Sequence, residues 1–119
     1  MRIPVYICSP YAGDICRNVE NARRYSRFAV KAGFMPVTPH LMYTQFLDEN
    51  IREERTIGLL CGLKLLTFCS ELWIFGDRMS SGMAQEKKAA DALGMRVRYF
   101  REYYDAAEDK TDIREVSGI

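Results

Sequence analysis

Residues 3–8 read Ile3-Pro4-Val5-Tyr6-Ile7-Cys8 and are stopped by Ser9-Pro10. A short apolar run closed by turn residues is the pattern of a strand buried on both faces at the centre of a parallel sheet. Pro4 cannot donate to a strand ladder, so it belongs at the first positions of that strand. Downstream, residues 18–32 place Val19, Ala22, Tyr25 and Ala29 at helical spacing, with Arg17, Arg23, Arg24 and Arg27 on other faces and Gly33 as the stop. This spacing predicts an amphipathic helix of about four turns. Phe34 to Thr38 is a second short apolar run that closes at Pro39-His40. Strand, helix and strand in this order form a βαβ unit, whose crossover is right-handed.

The rest of the chain extends the unit. Leu41 to Asp48 is read as one short helix, and Asn50 to Phe68 has a helical period in Ile57, Leu60/Cys61, Leu65 and Phe68/Cys69. Asp48, Glu49, Glu53 and Glu54 crowd the positive end of that helix's dipole. Glu71 to Phe75 predicts a third strand, Ser80 to Leu93 a third helix stopped by Gly94, and Met95 to Phe100 a fourth strand. The order βαβ-α-βαβ implies an open α/β fold with a parallel sheet of four to five strands. Arg101 to Ala107 is read as a last helix. Glu108 to Ile119, polar and without an apolar period, is read as a tail or a partner-contacting arm beyond one domain over residues 1–107.

Composition limits the function. The chain has 119 residues, 48% of them hydrophobic and 12% aromatic, which suffices for one core. With 17 basic against 16 acidic residues, no field of one sign exists to hold a nucleic-acid polymer or an anionic membrane. The longest apolar stretch, Ile57 to Cys69, is interrupted by Lys64 and falls short of the roughly 20 residues that span a bilayer. Met1-Arg2 leads straight into the first strand without a signal core, so a cytoplasmic protein is expected. Cys8, Cys16, Cys61 and Cys69 contain no Cys-x-x-Cys pair and are read as reduced, structural thiols. A lone His40 supplies no metal site, and neither metal nor cofactor is expected.

In an open parallel sheet, ligands bind beyond the carboxyl ends of the strands, where strand order reverses. Three loops lie there: Ser9-Pro10-Tyr11-Ala12-Gly13-Asp14, Pro39-His40-Leu41, and Gly76-Asp77-Arg78-Met79-Ser80-Ser81-Gly82-Met83. The first lacks both Gly-x-Gly-x-x-Gly and the Gly-x-x-x-x-Gly-Lys loop, so neither a dinucleotide nor a nucleoside triphosphate site is read from it. The third is the sharper signal, because Ser80-Ser81-Gly82 opens a helix whose free N–H groups can hold a phosphate. Glu86, one turn on, can point back to the same place, or can simply stabilise the helix end. Tyr11, Asp14 and Asn18 either line a base or sugar or form an ordinary turn into a helix. His40 follows a strand end where ligand contacts are expected. Tyr6 is a core or a catalytic tyrosine, whereas Trp73, Phe75 and Leu72 are core.

Val5-Tyr6-Ile7-Cys8-Ser9-Pro10-Tyr11, Leu72-Trp73-Ile74-Phe75-Gly76 and Ser80-x-Gly82-x-x-x-Glu86 with Ala89-Ala90 resemble the nucleoside 2-deoxyribosyltransferase-like family over residues 3–99. That family includes nucleoside 5′-monophosphate N-glycosidases and many small phage and bacterial proteins. The resemblance implies a flavodoxin-like or Rossmann-like three-layer α-β-α sandwich. It also implies a glutamate, here Glu86, that attacks the anomeric carbon of a ribose or deoxyribose and expels the base, as in retaining glycosidases. Tyr6 matches the strand-end tyrosine that orients the carboxylate, and Ser80 and Gly82 match residues that bind a 5′-phosphate. Ser9, Pro10, Tyr11, Asp14, Asn18, His40, Asp77, Ser81 and Met83 complete the expected binding set. A homo-oligomer is expected on the same ground, with Tyr99 to Tyr104 as a candidate contact. The sequence departs from the pattern at one point, since the family's second acid, an aspartate, falls at Gly62 by counting back from Ser70. Asp14, Asp48, Glu53, Glu54 and His40 are the candidates to replace it. A nucleotide-binding module without turnover is the alternative reading.

Overall fold

Two neighbouring strands carry the sheet, because their side chains are buried on both faces. In the computed structural model, which describes residues 1–119, β1 is Pro4–Cys8 and β3 is Glu71–Phe75, and they pair in parallel with Tyr6 opposite Leu72 and Cys8 opposite Ile74. Pro4 is the first strand residue, where its missing N–H does no harm. β2 (Met35–Val37) flanks β1 and β4 (Arg96–Asp105) flanks β3, both parallel. β5 (Lys110–Val116) pairs antiparallel with β4, so the five-stranded order is β2-β1-β3-β4-β5.

Alternation along each strand sorts the core into two halves. Val5, Ile7, Trp73, Phe75 and Phe100 face helix α1 (Ile15–Lys31), whose Tyr25 and Ala29 they meet. Tyr6, Cys8, Leu72 and Ile74 face the other way, toward Leu66 of helix α2 (Arg52–Leu66) and Met83 and Ala90 of helix α3 (Ser81–Ala92). The result is the three-layer α-β-α arrangement expected from the sequence. Tyr25 stacks on Phe75 at 4.4 Å between ring centroids, and Phe75 in turn stacks on Phe100 at 5.0 Å. Aromatic contacts of this kind add to the stabilisation from apolar burial.

Helix starts follow local chemistry. Asp14 caps α1 by accepting from the Arg17 N–H, and Ser80 caps α3 by accepting from the Met83 N–H at 3.3 Å. α1 therefore begins three residues earlier than the periodicity from Asn18 predicts. Between β2 and α2 the chain makes two short 3-10 turns, Pro39–Leu41 and Tyr43–Gln45, in place of a single short helix. No helix is long and apolar enough to cross a membrane.

The C-terminal part differs from the sequence reading. Arg101–Ala107 is not a helix; β4 continues through it to Asp105, and residues 110–116 are a strand rather than a free tail. Phe100, Tyr103 and Tyr104 favour a pleated surface. A turn at Ala106–Asp109 reverses the chain, helped by the Ala107 N–H donating to the Asp105 carboxylate and by Asp109 at φ 50°. Arg98 then fastens β5: its guanidinium donates to Glu115 at 2.8 and 2.9 Å and to Glu71 at 3.2 Å. It also lies 4.9 Å from the Trp73 ring centroid. These contacts join residues far apart in sequence, and a periodicity window cannot detect them.

Candidate functional site

Strand order reverses between β1 and β3, since the chain leaves β1 for β2 on one side and reaches β3 on the other. Beyond their carboxyl ends lies a cavity of about 590 Å³. β1 contributes Tyr6 and, just after it, Ser9; the following loop adds Tyr11, and the turn after β2 adds His40. α2 provides one wall through Arg55, Gly58, Leu59 and Gly62, and the start of α3 provides Ser80, Ser81, Gly82, Met83 and Glu86.

Glu86 is the one buried carboxyl of the cavity. It sits in the second turn of α3, 6% exposed, facing the sheet. Burial penalises its charged form and pushes its pKa up to about 7, against the pull of hydrogen bonding from Tyr6 and Cys8. The Cys8 thiol donates to Glu86 Oε1 at 3.5 Å and also approaches the Met83 carbonyl at 4.0 Å. Tyr6 and Cys8 point to the same side because they are two residues apart on one strand. Burial first, and Glu86 second, raise the pKa of both the Tyr6 phenol and the Cys8 thiol well above their ordinary values. Both therefore remain protonated donors at neutral pH.

The surroundings are polar on one side and aromatic on the other. Ser9 is 1% exposed and its hydroxyl has no hydrogen-bond partner. A buried, unsatisfied hydroxyl at a cavity wall is a group available to a ligand. It lines the same space as the first turn of α3, where Ser81 and Gly82 carry N–H groups that the helix itself does not use. His40 packs against Tyr11 with ring centroids 5.1 Å apart, and burial lowers its pKa, so the imidazole is neutral at neutral pH.

The expected site residues divide into two groups. Tyr6, Ser9, Tyr11, His40, Ser80, Ser81, Gly82, Met83 and Glu86 share the cavity. Pro10, Asp14, Asn18 and Asp77 lie outside its lining. Asp14 is spent on the α1 cap, and the Asn18 amide donates to the Tyr11 and Ala12 carbonyls at 3.0 Å, so both shape the first loop. Asp77 is exposed in the turn after β3, which Gly76 makes with φ 114°. Among the proposed substitutes for the second acid, His40 and Glu54 line the cavity whereas Asp14, Asp48 and Glu53 do not.

Sequence reasoning missed Cys8, Glu49 and Arg55. Cys8 reads as a structural thiol in the sequence, although its two-residue spacing from Tyr6 is the signal that both share a face. Glu49 lines the wall from the turn before α2 and Arg55 from the first turn of α2 itself, and nothing local in the sequence marks them. Gly62 does face the site: a Cβ built there would come within 3.1 Å of the Tyr6 hydroxyl. No group of three or more His, Cys, Asp or Glu side chains converges as a metal site.

Comparison with known proteins bears on fold and family. The family described as "Domain of unknown function (DUF7768)" matches residues 3–100. No curated protein sequence matches the chain. Among solved structures, a 2-deoxyribosyltransferase from Bacillus psychrosaccharolyticus is similar in fold, with a TM-score of 0.68 and 17% identity. The match covers 82% of this chain and 72% of that one.

Proposed function

The chain belongs to the DUF7768 family, and from the geometry of its cavity we propose that it cleaves or transfers the N-glycosidic bond of a nucleoside or nucleoside 5′-monophosphate, with Glu86 as nucleophile. The observation that carries this reading is the buried Glu86 carboxyl at the strand switch point, held by β1 and open to a 590 Å³ cavity. Likeness of fold to a protein named as a 2-deoxyribosyltransferase supports it.

In the first step one oxygen of ionised Glu86 attacks C1′ and forms an ester, the C1′–N bond breaks, and its electron pair leaves with the base. In the second, water or another base attacks C1′ and frees the carboxylate. Because burial pushes the Glu86 pKa up to about 7, the carboxyl exchanges between its protonated and ionised forms near neutral pH. Tyr6 orients that group. The Ser9 hydroxyl and the α3 N-terminus at Ser80, Ser81 and Gly82 hold the 5′ end of the sugar, with or without its phosphate. Tyr11 and His40 offer flat surfaces for the base. The departing base needs a proton, and with His40 neutral the cavity-lining Glu54 is the group to carry it in place of the aspartate missing at position 62. The active assembly is a homo-oligomer, supported by the exposure of Ile57 (50%), Leu60 (60%) and Phe68 (68%) along and just beyond α2.

Gly62 supports a second reading, in which the cavity binds a nucleotide without turnover. It carries no side chain where the resemblance expects an aspartate, and proton donation to a leaving group accounts for about 10²- to 10⁴-fold in rate. Chromatographic detection of free base from a panel of nucleosides and 5′-monophosphates separates the two. Release by the wild-type protein but not by Glu86→Ala establishes the enzyme. A nucleotide that raises the melting temperature without base release establishes the binder.

A further inference from the structure

Cys8 ends β1 and is fully buried, with its sulfur in the notch between the strand and the first turns of α3. Two acceptors lie within reach of its single proton: Glu86 Oε1 at 3.5 Å and the Met83 carbonyl at 4.0 Å. The Met83 carbonyl, inside α3, has the helix's own N–H for a partner, so losing the thiol leaves it satisfied. The Glu86 carboxyl has only the Tyr6 hydroxyl as a further donor, so losing the thiol leaves a buried carboxylate under-satisfied.

We infer that Cys8 is a positioning residue: its thiol donates to Oε1 of ionised Glu86, fixes the side chain against β1, and leaves Oε2 to meet the sugar carbon. This rests on the proposed role of Glu86. A thiol suits the task because it is a weak donor. It restricts the carboxylate's orientation while withdrawing less electron density than a hydroxyl or an amide, so the nucleophile stays reactive. When Glu86 is protonated, the thiol proton can turn to the Met83 carbonyl, and both forms of the acid fit the same packing. The groups that contact Glu86 are Tyr6 and Cys8 of β1, and the other ionisable side chains lining the cavity are Tyr11, His40, Tyr43, Glu49, Glu54 and Arg55. Of these, Tyr6 and Cys8 act on its ionisation by hydrogen bonding.

The test is a carboxyl-carbon NMR titration of Glu86 in the wild type, Cys8→Ala and Cys8→Ser, with the pH profile of base release recorded alongside. Melting temperatures confirm that each variant is folded, and Cys8→Ser keeps the side-chain size close to that of the thiol. Removing a donor to the charged form raises the Glu86 midpoint, by about half to one pH unit for a weak donor, and Cys8→Ser returns it toward or below the wild-type value. In turnover, Cys8→Ala lowers kcat several-fold with KM unchanged and moves the rising limb of the profile by the same amount as the NMR midpoint. A Glu86 midpoint unchanged in Cys8→Ala overturns the inference and leaves Cys8 a packing residue, whether or not base is released. A shifted midpoint in a protein that releases no base supports the role of Cys8 and overturns the enzymatic reading alone.

Discussion

Replacing Glu86 by Gln should make the protein more stable, and the gain should depend on pH. In the unfolded chain the carboxyl titrates near its ordinary value of 4.5, whereas burial in the fold moves it to about 7. Below pH 4.5 the group is protonated in both states and its ionisation costs nothing. Between 4.5 and 7 the unfolded chain releases the proton while the folded one keeps it, so stability falls as pH rises; above 7 both are ionised and the loss levels off. Moving a titration midpoint by one pH unit corresponds to about 1.4 kcal/mol, so the full penalty at pH 8 is about 3 kcal/mol. Gln has nearly the same shape, can accept from the Cys8 thiol, and does not titrate. Urea unfolding of both proteins from pH 4.5 to 8 reads the difference directly. With an m-value of about 2 kcal/mol per molar, the variant's midpoint should exceed the wild type's by roughly 1 to 1.5 M at pH 8 and by little at pH 4.5. Subtracting one profile from the other removes the contributions of the other titrating groups. A difference that is the same at both ends of the range would mean that Glu86 is not held in a desolvated place, and the physical ground for a tuned nucleophile would be lost with it.

Three further outcomes follow from the contacts of individual side chains. Gly62→Ala should leave stability nearly unchanged, because a helix-propensity gain of about 1 kcal/mol is set against a Cβ placed 3.1 Å from the Tyr6 hydroxyl. Displacement of that hydroxyl should still reduce base release, which paired thermal-shift and turnover assays detect. Asp14→Ala should cost about 1 kcal/mol through loss of the α1 cap, with nucleotide affinity unaltered by calorimetry; a large loss of affinity would return Asp14 to the binding set. Arg98→Met should destabilise by about 2 kcal/mol, because Glu71, 16% exposed at its side chain, loses its closest cation. Amide hydrogen exchange should show β5 opening before the rest of the sheet in that variant.

The central half of this fold is legible in the sequence because its elements are local. Ile3 to Cys8 and Glu71 to Phe75 are continuous apolar runs bounded by turn residues, and such a run has few places to go except the middle of a sheet. Ser80-Ser81-Gly82 and Glu86 share one helix start, so their convergence is a matter of a single turn. Asp14 and Asn18 mislead for the opposite reason. The residue types that favour ligands also cap helices and bind loop carbonyls, and only the folded loop shows that their hydrogen bonds are already used. The β4–β5 hairpin is hidden because its signal is distant pairing: Glu115 has a partner in Arg98, and Ile113 packs under the aromatic cluster of Trp73 and Phe100. Taken alone, Glu108 to Ile119 is too polar to reveal either contact.

The position of that hairpin bears on how the protein is made. Every wall of the cavity is supplied by residues up to Glu86, whereas the strand that covers the β4 edge comes last. Until Lys110–Val116 docks, a folding chain that has closed its cavity exposes a row of unpaired backbone groups along Arg96–Asp105. An uncovered edge of that length is a template for another chain. The charges that alternate through β5, so unhelpful in marking it as a strand, suit it to ending that interval, since they let the finished edge face water without inviting a further strand.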